Sequence, residues 1–206
     1  MIESIENVLQ IMVLLGCTGI SLYRAAAFQS RSWTLAVFFF GSWVLGDIYW
    51  LACLVFYDAT PQISIISDLS WYASYTFLYL LLIRAAPPPE KGGIKRLLPW
   101  TGPLLSAALA VFFMQWGEVL SNLIYAALMG LLLFAAINRL MDCGKYRAQL
   151  FLSVLILVFC LLEYGLWISS CFFQGETLAN PYYWFDLLMT ASFPVFLPAM
   201  KKAVSA

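Results

Sequence analysis

Seven long apolar runs divide this sequence, at residues 5–23, 33–57, 63–84, 97–115, 119–138, 148–173 and 182–200, each bounded by charges or by Pro and Gly. A helix needs about 20 apolar residues to cross the hydrocarbon layer of a bilayer. None of the runs alternates polar and apolar residues as a barrel strand does, so each predicts a spanning helix, whose backbone groups are all satisfied internally. Composition agrees: 63% of the chain is hydrophobic and 11% charged, whereas ordinary soluble domains are about 45–50% apolar and about 25% charged. The chain reads as an all-α membrane protein, one transmembrane domain over residues 1–206, whose first partner is the lipid bilayer. The N-terminal flank of the first run carries Glu3 and Glu6, where a cleaved signal peptide would carry Lys or Arg, so this run reads as a retained helix.

Charge placement orients the bundle. The 11 basic residues form four groups: Arg24 and Arg31; Arg84, Lys91, Lys95 and Arg96; Arg139, Lys145 and Arg147; Lys201 and Lys202. Seven helices put all four groups on one side, and an even number would divide them. The other side holds the N-terminus and the segments near Asp58, Glu118 and Glu176, without Lys or Arg. By the positive-inside rule the C-terminus is cytoplasmic and the N-terminus outside, in a multi-pass protein of a bacterial plasma membrane. Residues 87–93, Pro-Pro-Pro-Glu-Lys-Gly-Gly, predict a cytoplasmic linker. The basic residues beside it read as orientation signals, with no nucleic-acid partner implied.

Displacing the sequence against itself by 115 to 118 positions aligns a series of landmarks. Arg24 meets Arg139, Arg31 meets Arg147, Asp47 meets Glu163, Asp68 meets Asp186, Ala73-Ser74 meets Ala191-Ser192, and Arg84 meets Lys202. The expected organisation is a parallel 3+1+3 repeat: a three-helix unit over 5–86, a linker helix over 97–115 and a second unit over 119–202, with ligand sites between the halves.

The acids carry the functional reading. Asp47 lies ten residues before Tyr57, about 15 Å inside its helix end by the helical rise. Glu163 takes the matching place in the second unit, and Asp68 and Asp186 lie nearer the outer ends. A carboxylate at such depth is costly and marks a functional site unless it is paired; here every Lys and Arg is predicted at the opposite edge. Aromatic residues follow at helical spacing: Trp50 after Asp47, Trp71 and Tyr75 after Asp68, Trp167 after Glu163. Acids with rings one turn away suit an organic cation, held by charge and by cation–π attraction. The expected ligand site is therefore Asp47, Trp50, Asp68, Trp71, Tyr75, Glu163, Trp167 and Asp186. Tyr57, Trp116, Tyr182, Tyr183 and Trp184 read as an aromatic belt at the outer interface.

With no histidine in the chain, Ser-His and Cys-His nucleophile pairs and His-ligated zinc are excluded. The five cysteines have no metal-ligand spacing, and neither a cofactor nor a metal is expected. Pro194 and Pro198 in the last helix predict a kink there.

The stretch Gly46-Asp47-Ile48-Tyr49-Trp50, followed by Ser67-Asp68-Leu69-Ser70-Trp71-Tyr72, resembles the seven-helix membrane sensor-type domain found N-terminal to bacterial diguanylate cyclases. The resemblance is concentrated in residues 33–85. It implies a sensor; with no output module after Lys202, the signal would pass to a cytoplasmic partner or a second copy of the chain. The three-one-three layout is also reminiscent of small transporters and opsins, although the last helix lacks the mid-membrane lysine of an opsin. The expectation is a membrane protein that binds a small, cationic ligand in an outward-facing acidic and aromatic cavity, as sensor or transporter. The alternatives are an intramembrane carboxylate enzyme, against which Val44 breaks the Gly-x-Gly-Asp pattern of intramembrane aspartyl proteases, and a non-catalytic assembly partner.

Overall fold

The computed structural model describes residues 2–57, 59–61, 65–85, 94–141, 147–173 and 175–204. The proposed linker at 87–93 lies outside them, as do Asp58, Cys143 and Lys145. The described residues are helical, without strands: α1 (Ile2–Phe28), α2 (Arg31–Tyr57), α3 (Ile65–Arg84), a 3-10 segment (Ile94–Trp100), α4 (Thr101–Phe113), α5 (Val119–Met141), α6 (Arg147–Phe172) and α7 (Pro181–Val204). Five of these, α1, α2, α5, α6 and α7, are long and apolar enough to cross a membrane.

The two that fall short do so for chemical reasons. Helix α3 has 20 residues but spends its first half on Ser67, Asp68, Ser70, Trp71, Tyr72, Ser74 and Tyr75. The expected helix at 97–115 is divided into the 3-10 segment, which contains Pro99, and the 13-residue α4. Proline has no N–H to donate and restricts the residue before it, and Gly102 and Pro103 follow at once. Helices α1, α2, α5 and α7 are longer than expected, and α6 keeps its expected length one residue earlier. Helix α1 begins at Ile2 rather than near residue 5 and so brings Glu3 into its first turn, with Glu6 a turn further in.

Local signals fix the turns. At the end of α1, Gln29 takes a left-handed conformation (φ 49°), and the Ser30 amide closes back on the Ala25 carbonyl at 3.3 Å, the pattern that ends many helices. At the start of α7, the Asn180 side chain accepts from the Tyr182 amide at 3.0 Å, with Pro181 in the first helical position. The Asn122 amide of α5 donates to the carbonyls of Phe113 and Trp116, both at 2.9 Å, and so caps the end of α4. No disulfide joins Cys53 and Cys171; both are free thiols.

Six helices close into a ring in the order α1, α2, α3, α5, α6, α7 and back to α1, and α4 packs outside it, chiefly on α5. Sequence neighbours in the ring run antiparallel, whereas α3 and α5, and α7 and α1, meet as parallel pairs without a direct connection. The centre of the ring is aromatic. Phe39, Phe40, Phe159, Phe193 and Phe196 are fully buried, with Phe39 and Phe196 ring centroids 5.5 Å apart and those of Phe159 and Phe196 6.1 Å apart. All five lie on the side of Asp47, Glu163 and Asp186 that leads to the basic ends of the helices, so they plug the ring between the acids and that end. Helix α7 continues unbroken through Pro194 and Pro198, and from it Phe193 and Phe196 complete the plug.

Candidate functional site

Beyond the phenylalanine plug, towards the acidic end of the bundle, the ring encloses a cavity of about 560 Å³, within the range of small-molecule sites. All eight residues expected from the sequence line it: Asp47, Trp50, Asp68, Trp71, Tyr75, Glu163, Trp167 and Asp186. Its mouth is formed by the segments that carry Thr60, Gly117, Glu118, Gly175 and Glu176. Among the described residues, the lining holds seven carboxylates, Glu3 included, and no Lys or Arg. Two basic side chains lie on aromatic rings at the other end of the bundle: Arg24 over the Trp33 ring, 4.6 Å from its centroid, and Lys202 5.6 Å from that of Phe151.

Two clusters build the wall. In the first, the indole of Trp71 donates to Asp47 Oδ1 at 3.2 Å and packs against Trp50, centroids 5.8 Å apart. Trp50 in turn donates to Glu3 Oε1 at 2.9 Å. A methyl group on Gly46 would come within 2.7 Å of Trp71 Nε1, so only glycine leaves room for this ring. Glycine, acid and tryptophan at 46, 47 and 50 thus seat one indole of the next helix.

The second cluster surrounds Glu163, whose Oε2 receives the Tyr125 hydroxyl at 3.5 Å. The Tyr125 ring stacks on Trp167 (4.5 Å, 26°) and meets Tyr75 edge-on at 5.9 Å. Tyr75 meets Trp43 at 5.6 Å. Together Trp43, Tyr75, Tyr125 and Trp167 form an aromatic box around one acid. Each deep acid retains an unused oxygen: Asp47 Oδ2 and Glu163 Oε1 are buried without a hydrogen-bond partner, although their side chains are only 2% and 3% exposed.

The two outer acids are held differently. Asp68 accepts from the Ser121 hydroxyl at 3.0 Å, and Ser121 also hydrogen-bonds to the Tyr72 hydroxyl, which ties α3 to α5. The Gln10 amide donates to Asp186 Oδ1 at 2.8 Å and to Thr190 Oγ1 at 3.0 Å, which ties α1 to α7.

Sequence reasoning missed Glu3, Gln10, Trp43, Tyr125, Tyr182 and Tyr183 as lining residues. Gln10 and Tyr125 carry the same polar-in-apolar signal as the acids and were legible by it. Tyr182 and Tyr183 were expected in the outer belt but line the cavity; Trp184, between the same turns, is exposed as a belt residue would be. Among the described residues, no three acidic or thiol side chains gather closely enough to hold a metal ion. The arrangement is instead an acidic, ring-lined chamber.

Comparison with known proteins finds no matching family, no matching curated sequence and no solved structure of matching fold.

Proposed function

We propose that this protein is a multi-pass plasma-membrane protein that binds a small organic cation in the acidic, aromatic cavity and carries it across the membrane. The observation that supports this most directly is the pair of buried, unused oxygens on Asp47 and Glu163 in a chamber lined by carboxylates, with no Lys or Arg among its described lining residues. A monovalent cation would satisfy both the charge and the open acceptor positions, with the box of Trp43, Tyr75, Tyr125 and Trp167 adding cation–π attraction. By the positive-inside rule the mouth opens outside and the plugged, basic end faces the cytoplasm.

The transport reading draws on the ring. Its contacts repeat: α1 on α2 and α2 on α3 correspond to α5 on α6 and α6 on α7, and the two seams are α3 on α5 and α7 on α1. In each half a glycine of the middle helix seats an aromatic ring of the third, Gly46 under Trp71 and Gly165 under Phe185. Two like halves around a central site form the layout in which rocking exposes a site to either face. The sensor reading, carried by the sequence resemblance, needs the same binding site but no opening of the plug.

Tetramethylammonium titrated into the protein in lipid nanodiscs, followed by tryptophan fluorescence, tests the binding. Asp47→Asn and Glu163→Gln are expected to lose binding by tenfold or more while keeping or raising the unfolding temperature, because each removes an uncompensated buried charge. Loss of fold in both variants, or unchanged binding, would remove the cavity from consideration. Uptake of the same cation into proteoliposomes separates transporter from sensor.

A further inference from the structure

One pair of acids is not used by the aromatic box. Glu6, on α1, is 5% exposed, and neither of its carboxylate oxygens has a hydrogen-bond partner among the described residues. It lies one turn of α1 before Gln10, whose side chain reaches Asp186 of α7 at 2.8 Å, and so meets Asp186, which is 8% exposed. Asp186 lines the cavity and Glu6 does not, so the pair extends from the chamber into the α1–α7 seam.

The charged and titratable groups around the pair come from every neighbouring element: Glu3 on α1, Asp47 on α2, Glu163 on α6, Tyr182 and Tyr183 on α7. All are acids or phenols. Two facing carboxylates in a low-dielectric seam cannot both stay ionised without a positive charge between them. A metal ion fits poorly, because a hard cation takes about six or more oxygen ligands. Gln10 turns its NH2, a donor, towards Asp186 and Thr190, which occupies the oxygens a metal would need.

We infer that Glu6 and Asp186 form a proton-carrying pair at the α1–α7 seam, which exchanges its proton with water through the cavity. Where a cation enters the chamber, an inference that rests on the function proposed above, the exchange is one for one. The O–H bond within the pair breaks, its electron pair stays on the carboxylate, the proton leaves by the mouth between Glu118 and Glu176, and the cation replaces the lost charge.

The test is infrared spectroscopy of the full-length protein in nanodiscs, titrated with pH, with Glu6→Gln and Asp186→Asn beside Glu163→Gln. The wild type is expected to show a protonated-carboxyl stretch at neutral pH. One component of that stretch is lost in Glu6→Gln and in Asp186→Asn and retained in Glu163→Gln. A wild type without such a stretch, or a Glu6→Gln spectrum that keeps all of it, overturns the pair. Should Glu6→Gln fail to fold, Glu6→Asp shortens the reach by one methylene; a band unchanged in position and pH midpoint in that variant also overturns the pair. A pH-indicator dye then reads proton release on addition of tetramethylammonium. One proton per cation bound in the wild type, and none in a Glu6→Gln that still binds, supports the exchange; binding without release overturns it. A wild type that keeps the infrared component but binds no tetramethylammonium retains the proton pair and removes the cation reading instead.

Discussion

Gly46 has no side chain because Trp71 occupies the space one would need, and that single fact ties a local motif to the site. The indole held there donates to Asp47 and packs on Trp50, so the three motif residues act on one ring of the neighbouring helix. Gly46→Ala is expected to push the ring out of place, at a cost of about 1–3 kcal/mol for overpacking, and to weaken tetramethylammonium binding with it. Thermal unfolding of the variant in detergent, together with its tryptophan emission, measures both; an unchanged unfolding temperature and spectrum would mean that the wall gives way without loss. At this scale the sequence was most readable for the deep acids. Asp47 and Glu163 stand in long apolar runs, where water cannot explain them, so their depth alone marked them. Glu3 and Glu6 carry the same charge but sit near the chain start, where an acid looks like ordinary flanking polarity. Their roles are set by packing between helices, in which Trp50 donates to Glu3 and Glu6 is buried.

Among the elements, α4 stands apart from the ring and is held mainly through α5, to which Gly102 and Gly130 bring it close. A methyl group on Gly102 would come within 2.6 Å of Leu133 Cβ, and one on Gly130 within 3.3 Å of Pro103 Cα. Gly102→Ala is therefore expected to lower the unfolding temperature by the equivalent of about 1–3 kcal/mol, yet to leave cation affinity within twofold, because α4 contributes no acid to the cavity. A large loss of affinity with an intact fold would show that α4 holds the site through Tyr164, whose hydroxyl donates to Ser106 at 2.8 Å. Helix existence was legible throughout from the apolar runs. The length of α4 was not, since Pro99, Gly102 and Pro103 alter the backbone without interrupting the hydrophobicity. The facing of aromatic residues at helix ends was equally hidden: Tyr183 and Trp184 are adjacent in sequence, but one is 6% exposed and the other 56%, a difference of rotation about the helix axis that neighbouring elements decide.

For the whole molecule, the two parallel seams are the places where halves could separate without stretching a connection. Tyr72 and Ser121 face each other across the α3–α5 seam. A Tyr72→Cys, Ser121→Cys pair, bridged by a reducible bifunctional thiol reagent that spans the space left by the tyrosine ring, is expected to abolish tetramethylammonium uptake into proteoliposomes, with uptake restored on reduction. Uptake that persists in the fully cross-linked protein would place any opening elsewhere.

The buried phenylalanines also have an electrical consequence. A hollow that reaches from one surface into the bundle would carry the potential of that surface with it, so a voltage would fall mostly across the packed core that begins at Phe39, Phe40, Phe159, Phe193 and Phe196 and continues through Leu152, Met200 and Ala203 towards the basic ends. A charge moved through the full field exchanges about 2.3 kcal/mol per 100 mV. On the function proposed above, a cation resting beside Glu163 would have drawn on little of this, and most of it would be delivered across that apolar core, which would act as the dielectric of a small capacitor.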